Sequence, residues 1–146
     1  MNISDQIIDN IQISWDGEPE YIFTKAENVP EEYMMLTDFL KITNWVFIRF
    51  MAEGIVARSS RGMNDSGFRY AEDLDEQEER FEGVRIYDYY DAFTISEPAF
   101  IRMMSRLLDV LVIGAESHHL AVTKEGWWTE FVDLSVKIQQ MNRSEE

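Results

Sequence analysis

The chain has 146 residues, with 28 Asp and Glu against 13 Lys and Arg, for a formal charge of −15; it is 45% apolar and 13% aromatic and has no cysteine. That apolar content excludes a disordered acidic tail, and the missing cysteine excludes disulfides, cysteine-ligated zinc, iron–sulfur clusters and a thiol nucleophile. The charge opposes nucleic-acid binding through a basic surface, which needs Lys and Arg to displace counterions.

The length predicts one domain over residues 1–146. The opening Met1-Asn2-Ile3-Ser4-Asp5-Gln6 has no basic segment leading into an apolar run, and the first basic residue is Lys25. Neither a secretory signal nor a mitochondrial transit peptide is expected. Apolar runs such as Trp45-Val46-Phe47-Ile48 and Val110-Leu111-Val112-Ile113 stop at four residues, whereas a spanning helix needs about 20. A soluble, cytoplasmic protein with no membrane partner is the expectation.

In chain order, Ser4 as N-cap with Ile7, Ile8 and Ile11 on one face predicts a short helix over 4–13. Trp15-Asp16-Gly17 signals a turn, and Tyr21-Ile22-Phe23-Thr24 a short β run. Pro30, Glu31 and Glu32 open a long helix over 31–53, with Leu36, Phe39, Leu40, Val46, Phe47, Phe50 and Met51 on one side. Its weak point is Thr43-Asn44, after which the β-formers of 45–50 admit a strand instead. Residues 57–67 read as a loop. Within it Arg58 and Arg61 make a small basic island, and Arg58-Ser59-Ser60-Arg61-Gly62 is a candidate anion loop beside the plainer reading of a solvated one.

Residues 84–95 are β-like, with a hairpin or bulge near Asp91. Ser96, Glu97 and Pro98 then start a helix whose Phe100, Met103, Met104, Leu107, Leu108 and Leu111 recur at helical spacing, to about 113 or a little beyond. A last helix over 126–142 carries Trp127, Phe131, Leu134, Ile138 and Met141, with Val132 and Val136 widening the stripe. The predicted fold is α+β, three main helices packed with a small antiparallel sheet; mainly α is the alternative.

No catalytic residue, metal ligand or cofactor is assigned. His118 and His119 are adjacent, so their rings diverge, and a helix end is the simpler place for them. Carboxylate pairs are too abundant for any one to stand out, and Glu72-Asp73-Leu74-Asp75-Glu76 lacks the alternation and glycine of a calcium loop. No G-x-S-x-G elbow and no Gly-rich phosphate loop occurs. Trp127 is expected in the core, with Trp128 partly exposed beside it as a candidate interface anchor.

Residues 72–91 hold nine acids against Arg80 and Arg85, a net of −7. A solvated face is one reading of such a run, and a docking surface for a basic partner is the other. The acids lead straight into Tyr87-Asp88-Tyr89-Tyr90-Asp91, and tyrosine beside carboxylate suits an interface. The candidate partner-binding residues are Glu72, Asp73, Asp75, Glu76, Glu78, Glu79, Glu82, Tyr87, Asp88, Tyr89, Tyr90 and Asp91.

The segment Gly83-Val84-Arg85-Ile86-Tyr87-Asp88-Tyr89-Tyr90-Asp91-Ala92-Phe93-Thr94-Ile95-Ser96, with the helix over 97–112 behind it, resembles immunity proteins of contact-dependent growth inhibition systems, particularly those opposing ribonuclease toxins. The resemblance extends over about residues 30–141 and implies a non-catalytic bacterial inhibitor. Its partner is a cognate toxin domain, a nuclease whose basic groove an acidic protein occupies. Two other classes are open on the residues alone. One is an acidic ligand- or metal-binding, hydrolase-like domain. The other is a structural adaptor that dimerises through a stripe at Tyr33, Met34 and Met35. The oligomeric state is not set by the sequence.

Overall fold

The computed structural model describes residues 2–63, 65–77 and 79–145, with residues 144 and 145 in their backbone only. The Ser4 side chain accepts from the Ile7 amide and starts the helix Asp5–Asp9 (α1). That helix ends at Asn10, short of the predicted 13. Beyond it Ile13 and Trp15 are half-buried and alternate with exposed Gln12 and Ser14, and a period of two makes a strand, Gln12–Trp15 (β1). It pairs antiparallel with Thr24–Glu27 (β2), which begins where the predicted β run at 21–24 ends.

The expected long helix over 31–53 is broken. A 3₁₀ turn at Glu31–Tyr33 leads into Met35–Phe39 (α2), and a separate helix, Trp45–Ala57 (α3), follows. The cause lies in β2. Buried Thr24 donates its hydroxyl to the Leu40 carbonyl at 2.7 Å and accepts from the Ile42 amide at 2.9 Å, while the Phe23 amide donates to the Ile42 carbonyl. These bonds draw residues 40–42 out of helical pairing. Asn44 restarts the helix by accepting from the amides of Val46 and Phe47. The weak point therefore breaks into a second helix and not into a strand.

The predicted loop at 57–67 is also corrected, because it contributes a strand and a half. Arg61–Met63 (β3), Ser66–Tyr70 (β4), Val84–Tyr87 (β5) and Ala92–Ile95 (β6) form an antiparallel meander in that order. Gly67 makes the first hairpin fit, since a Cβ there would strike the backbone of Arg61 and Gly62. Ser96 accepts from the Ala99 amide and caps Glu97–Ser117 (α4), and Trp128–Glu145 (α5) completes the chain. The fold is α+β, with α5 packed on α3 and α4 and two small antiparallel sheets beside them.

The helix α4 is the spine. Phe100, Met103, Met104, Leu107, Leu108 and Leu111 are fully buried along it. The sheet offers it Phe68, Tyr70, Val84, Ile86, Phe93 and Ile95, and the rings of Phe68 and Phe100 sit 5.1 Å apart. From the other side α5 brings Trp128, Phe131 and Ile138. Each large side chain buried this way contributes about 1.5–3 kcal/mol. Trp128 is 6% exposed and Trp127 half-buried, which reverses the expected order of the two. Trp128 lies edge-on to Trp45 at 5.6 Å, while Trp127 carries the Arg49 guanidinium 4.1 Å above its ring.

Candidate functional site

The acidic–aromatic segment is divided by the sheet. In the register of the meander Tyr70, Val84 and Ile95 are neighbours at one end, and Gly67, Tyr87 and Ala92 at the other. The chain leaves the sheet after Tyr70 and re-enters it at Val84 at the first end, and the turn over 88–91 caps the second. The four-residue strand β5 holds the two ends roughly 10 Å apart, at about 3.3 Å per residue.

At the first end, two of the predicted acids belong to the scaffold. Arg58 ends α3 in the left-handed region, with φ 52°. Its guanidinium donates to Glu97 through Nε at 2.9 Å and Nη2 at 2.8 Å, and to Glu72 through Nη1 and Nη2. It also lies 4.9 Å above the Tyr70 ring. The hydrogen bonds from Arg58 hold the Glu72 carboxyl below its ordinary range. Asp73 accepts from the Ser60 hydroxyl and, at 3.1 Å, from the Ser60 amide, and these bonds depress its carboxyl in the same way. The Tyr70 amide in turn donates to the Ser60 oxygen at 2.9 Å. Burial, followed by the nearby Glu97 charge, pushes the Tyr70 phenol up, so it stays neutral. Of the candidate anion loop, Arg58 is engaged by carboxylates, while Arg61 lies over the Phe50 ring at 4.7 Å with its Nε buried.

Four more acids of this end, Asp75, Glu76, Glu79 and Glu82, are exposed, and Glu78 lies outside the described residues. Asp75, Glu76, Gln77 and Arg69 line an open hollow of about 560 Å³. A second hollow, of about 410 Å³, is lined by Asn2, Ile3, Asp5, Glu82, Gly83, Thr94, Ile95, Ser96 and Glu97. It brings Asp5 and Glu97 beside Glu82, an association the sequence did not signal, because both residues follow helix caps far from the acidic run. Asp5 accepts from the Ser96 hydroxyl at 2.8 Å, and the Arg102 guanidinium reaches Asp9 at 3.0 Å and Asp5 at 3.8 Å.

At the second end the hairpin tip is built firmly. The Asp88 carboxylate accepts from the amides of Tyr90 at 2.8 Å and Asp91 at 2.7 Å, and the Asp88 amide donates to the Asp91 carbonyl at 2.9 Å. Asp88 is thus a turn-forming residue. Tyr87 is half-buried, its hydroxyl lying across Gly62, where a Cβ would collide with it. Tyr89 and Tyr90 project instead, 75% and 86% exposed, with their rings edge-to-face 5.0 Å apart.

The remaining candidates are accounted for elsewhere. His118 closes α4, its Nδ1 3.1 Å from the Gly114 carbonyl and its ring 5.4 Å from that of Trp15, and His119 follows in the left-handed region. No group of three or more His, Asp or Glu side chains among the described residues is arranged to hold a metal ion. The stripe at Tyr33, Met34 and Met35 is not continuous: Met35 is buried, Tyr33 packs edge-on to Phe93, and Met34 alone is exposed. Among the described residues no helix is long and apolar enough to cross a membrane. No protein-family model, curated protein or solved structure matches the chain.

Proposed function

We propose that this protein binds and neutralises a cognate toxin domain, a basic nuclease, by presenting carboxylates where the toxin would hold nucleic-acid phosphates, without catalysing a reaction itself. One observation carries the reading. The exposed acids Glu76, Glu79 and Glu82 extend from a segment whose base is held by Glu72 and Asp73 through Arg58 and Ser60. Charge fixed to a scaffold and turned to solvent raises the local potential, whereas charge consumed in ion pairs does not. The excess of −15 adds a long-range attraction for a cationic surface. In steered cases such attraction lifts association to about 10⁸–10⁹ M⁻¹s⁻¹ at low salt. That rate suits an inhibitor that must capture an incoming nuclease before it cuts. The resemblance of residues 83–112 to immunity proteins opposing ribonuclease toxins points the same way.

The test is calorimetric titration of the C-terminal domain of the polypeptide encoded immediately upstream, at two salt concentrations. One-to-one binding that weakens with salt is the expected result. Reversing Asp75, Glu76, Glu79 and Glu82 to lysine together should then slow association at low salt and flatten its salt dependence. Absence of binding at micromolar concentrations overturns the pairing, and an association rate indifferent to the reversal removes this surface from the function.

A further inference from the structure

We infer that the tip of the β5–β6 hairpin is an arginine seat, in which the exposed rings of Tyr89 and Tyr90 and the carboxylate of Asp91 receive a guanidinium from a protein partner. This rests on the proposed role as a toxin binder, and it assigns to the tip a different task from that of the acids at 75–82.

Three features support it. First, the rings are the two most exposed large hydrophobic side chains of the described residues, and they touch each other and little else. Paired aromatic area in water is unfavourable in a monomer and is the chemistry of interface anchors. Second, the platform is preorganised. Asp88 fixes the turn through two amides, and Tyr87 pins β5 against β3 across Gly62, so the rings are held out before any partner arrives. Third, the charge is complementary to a cation and not consumed. Asp88 is occupied within the turn, whereas the exposed Asp91 carboxylate has no hydrogen bond or ion pair among the described residues.

Arginine fits better than lysine because its planar guanidinium stacks on an aromatic face and still donates in-plane to a carboxylate. The chain contains an internal example. Arg58 lies over the Tyr70 ring while its edge donates to Glu72 and Glu97. The tip offers the same kinds of group, two rings and a carboxylate exposed within one short turn.

The experiment uses the full chain and two defined probes, acetylated tetra-arginine amide and acetylated tetra-lysine amide, titrated at low salt and followed through the tyrosine ring resonances. Tetra-arginine should shift the Tyr89 and Tyr90 resonances saturably and bind about fivefold more tightly than tetra-lysine. Tyr89→Ala with Tyr90→Ala should abolish that preference and leave general charge-driven binding, Asp91→Asn should reduce it, and Tyr89→Phe with Tyr90→Phe should retain it. Equal affinity for the two peptides, or a preference unchanged in the double alanine variant, overturns the seat while leaving the acidic surface to be judged by the toxin titration. Conversely, failure of the upstream polypeptide to bind leaves the peptide preference standing as a property of the tip.

Discussion

Arg58 and Glu97 lie 39 residues apart in sequence, yet Nε and Nη2 of the arginine meet both carboxylate oxygens of the glutamate at 2.9 and 2.8 Å. The same guanidinium holds Glu72, so one side chain ties the end of α3 to the start of α4 and to the base of the acidic segment. Arg58 also occupies a left-handed helix end where glycine is favoured. Replacement therefore has two components with opposite signs. Arg58→Ala loses the clamp and keeps the backbone cost, and because the side chain is 46% exposed the loss is discounted to about 1 kcal/mol. Arg58→Gly loses the same clamp but relieves the backbone, and should be less destabilised than Arg58→Ala. Urea midpoints of the two variants decide the point, and a glycine variant no more stable than the alanine variant rules out backbone strain at this position.

The depressed carboxyls of Glu72 and Asp73 set a direction for acid. A group whose folded pKa lies below its unfolded value adds stability that is present above the unfolded value, near pH 4, and is lost as pH falls through the folded one. Acidification also relieves the self-repulsion of a chain carrying −15, which acts in the opposite sense. The two are separated by comparison, since the repulsion is nearly common to wild type and a single variant. Between pH 5 and pH 3, wild type should lose more stability than Asp73→Asn, measured by urea unfolding at each pH. Parallel curves would remove Asp73 from the acid response.

Gly114 of α4 faces the indole of Trp15, and a Cβ at that position would overlap the ring. Alanine improves intrinsic helix propensity by about 0.5–1 kcal/mol. Overpacking against a well-seated ring costs about 1–3 kcal/mol, and Trp15 is held between Phe23 at 5.9 Å and His118 at 5.4 Å. The steric effect should win. Gly114→Ala is expected to be less stable than wild type and to shift tryptophan emission to the red as Trp15 moves outward. A more stable variant would mean that the indole yields freely.

Much of the local structure was legible because its causes are local. Ser4 and Ser96 cap the helices they were expected to cap, and of the hairpin or bulge expected within 84–95 the hairpin forms. What sequence reading missed depends on distant partners. The helix over 31–53 breaks because Thr24, 16 residues before Leu40, takes up the backbone of 40–42. The run 72–91 looks like one surface in sequence, but β5 carries its two halves to opposite ends of a sheet. Its charge does not reveal which acids are structural, because Glu72 and Asp73 owe that role to Arg58 and Ser60, 14 and 13 residues earlier.

Arg106, midway along α4, shows the same long-range logic and supplies a prediction with a clear chemical control. Its guanidinium donates to the carbonyls of Ile8 at 3.0 Å, Ile11 at 2.9 Å and Asp9 at 3.2 Å, closing the C-terminal end of α1 against α4. Burial lowers the arginine pKa, but a guanidinium starts so high that it remains charged, and charged donors make the stronger hydrogen bonds. Arg106→Met keeps much of the apolar stem but removes the guanidinium from these carbonyls, of which Ile8 keeps a further donor, the Ile11 amide at 3.2 Å, so a loss of about 2 kcal/mol is expected. Arg106→Lys keeps the charge but lacks the fork that reaches three carbonyls at once, and should recover less than half of that loss. Hydrogen exchange gives the local readout: amides of residues 8–11 should exchange faster in both variants, while those in the middle of α5 change only in proportion to global stability. Full recovery by lysine would show that charge near Asp9, and not the shape of the guanidinium, holds the N-terminal segment in place.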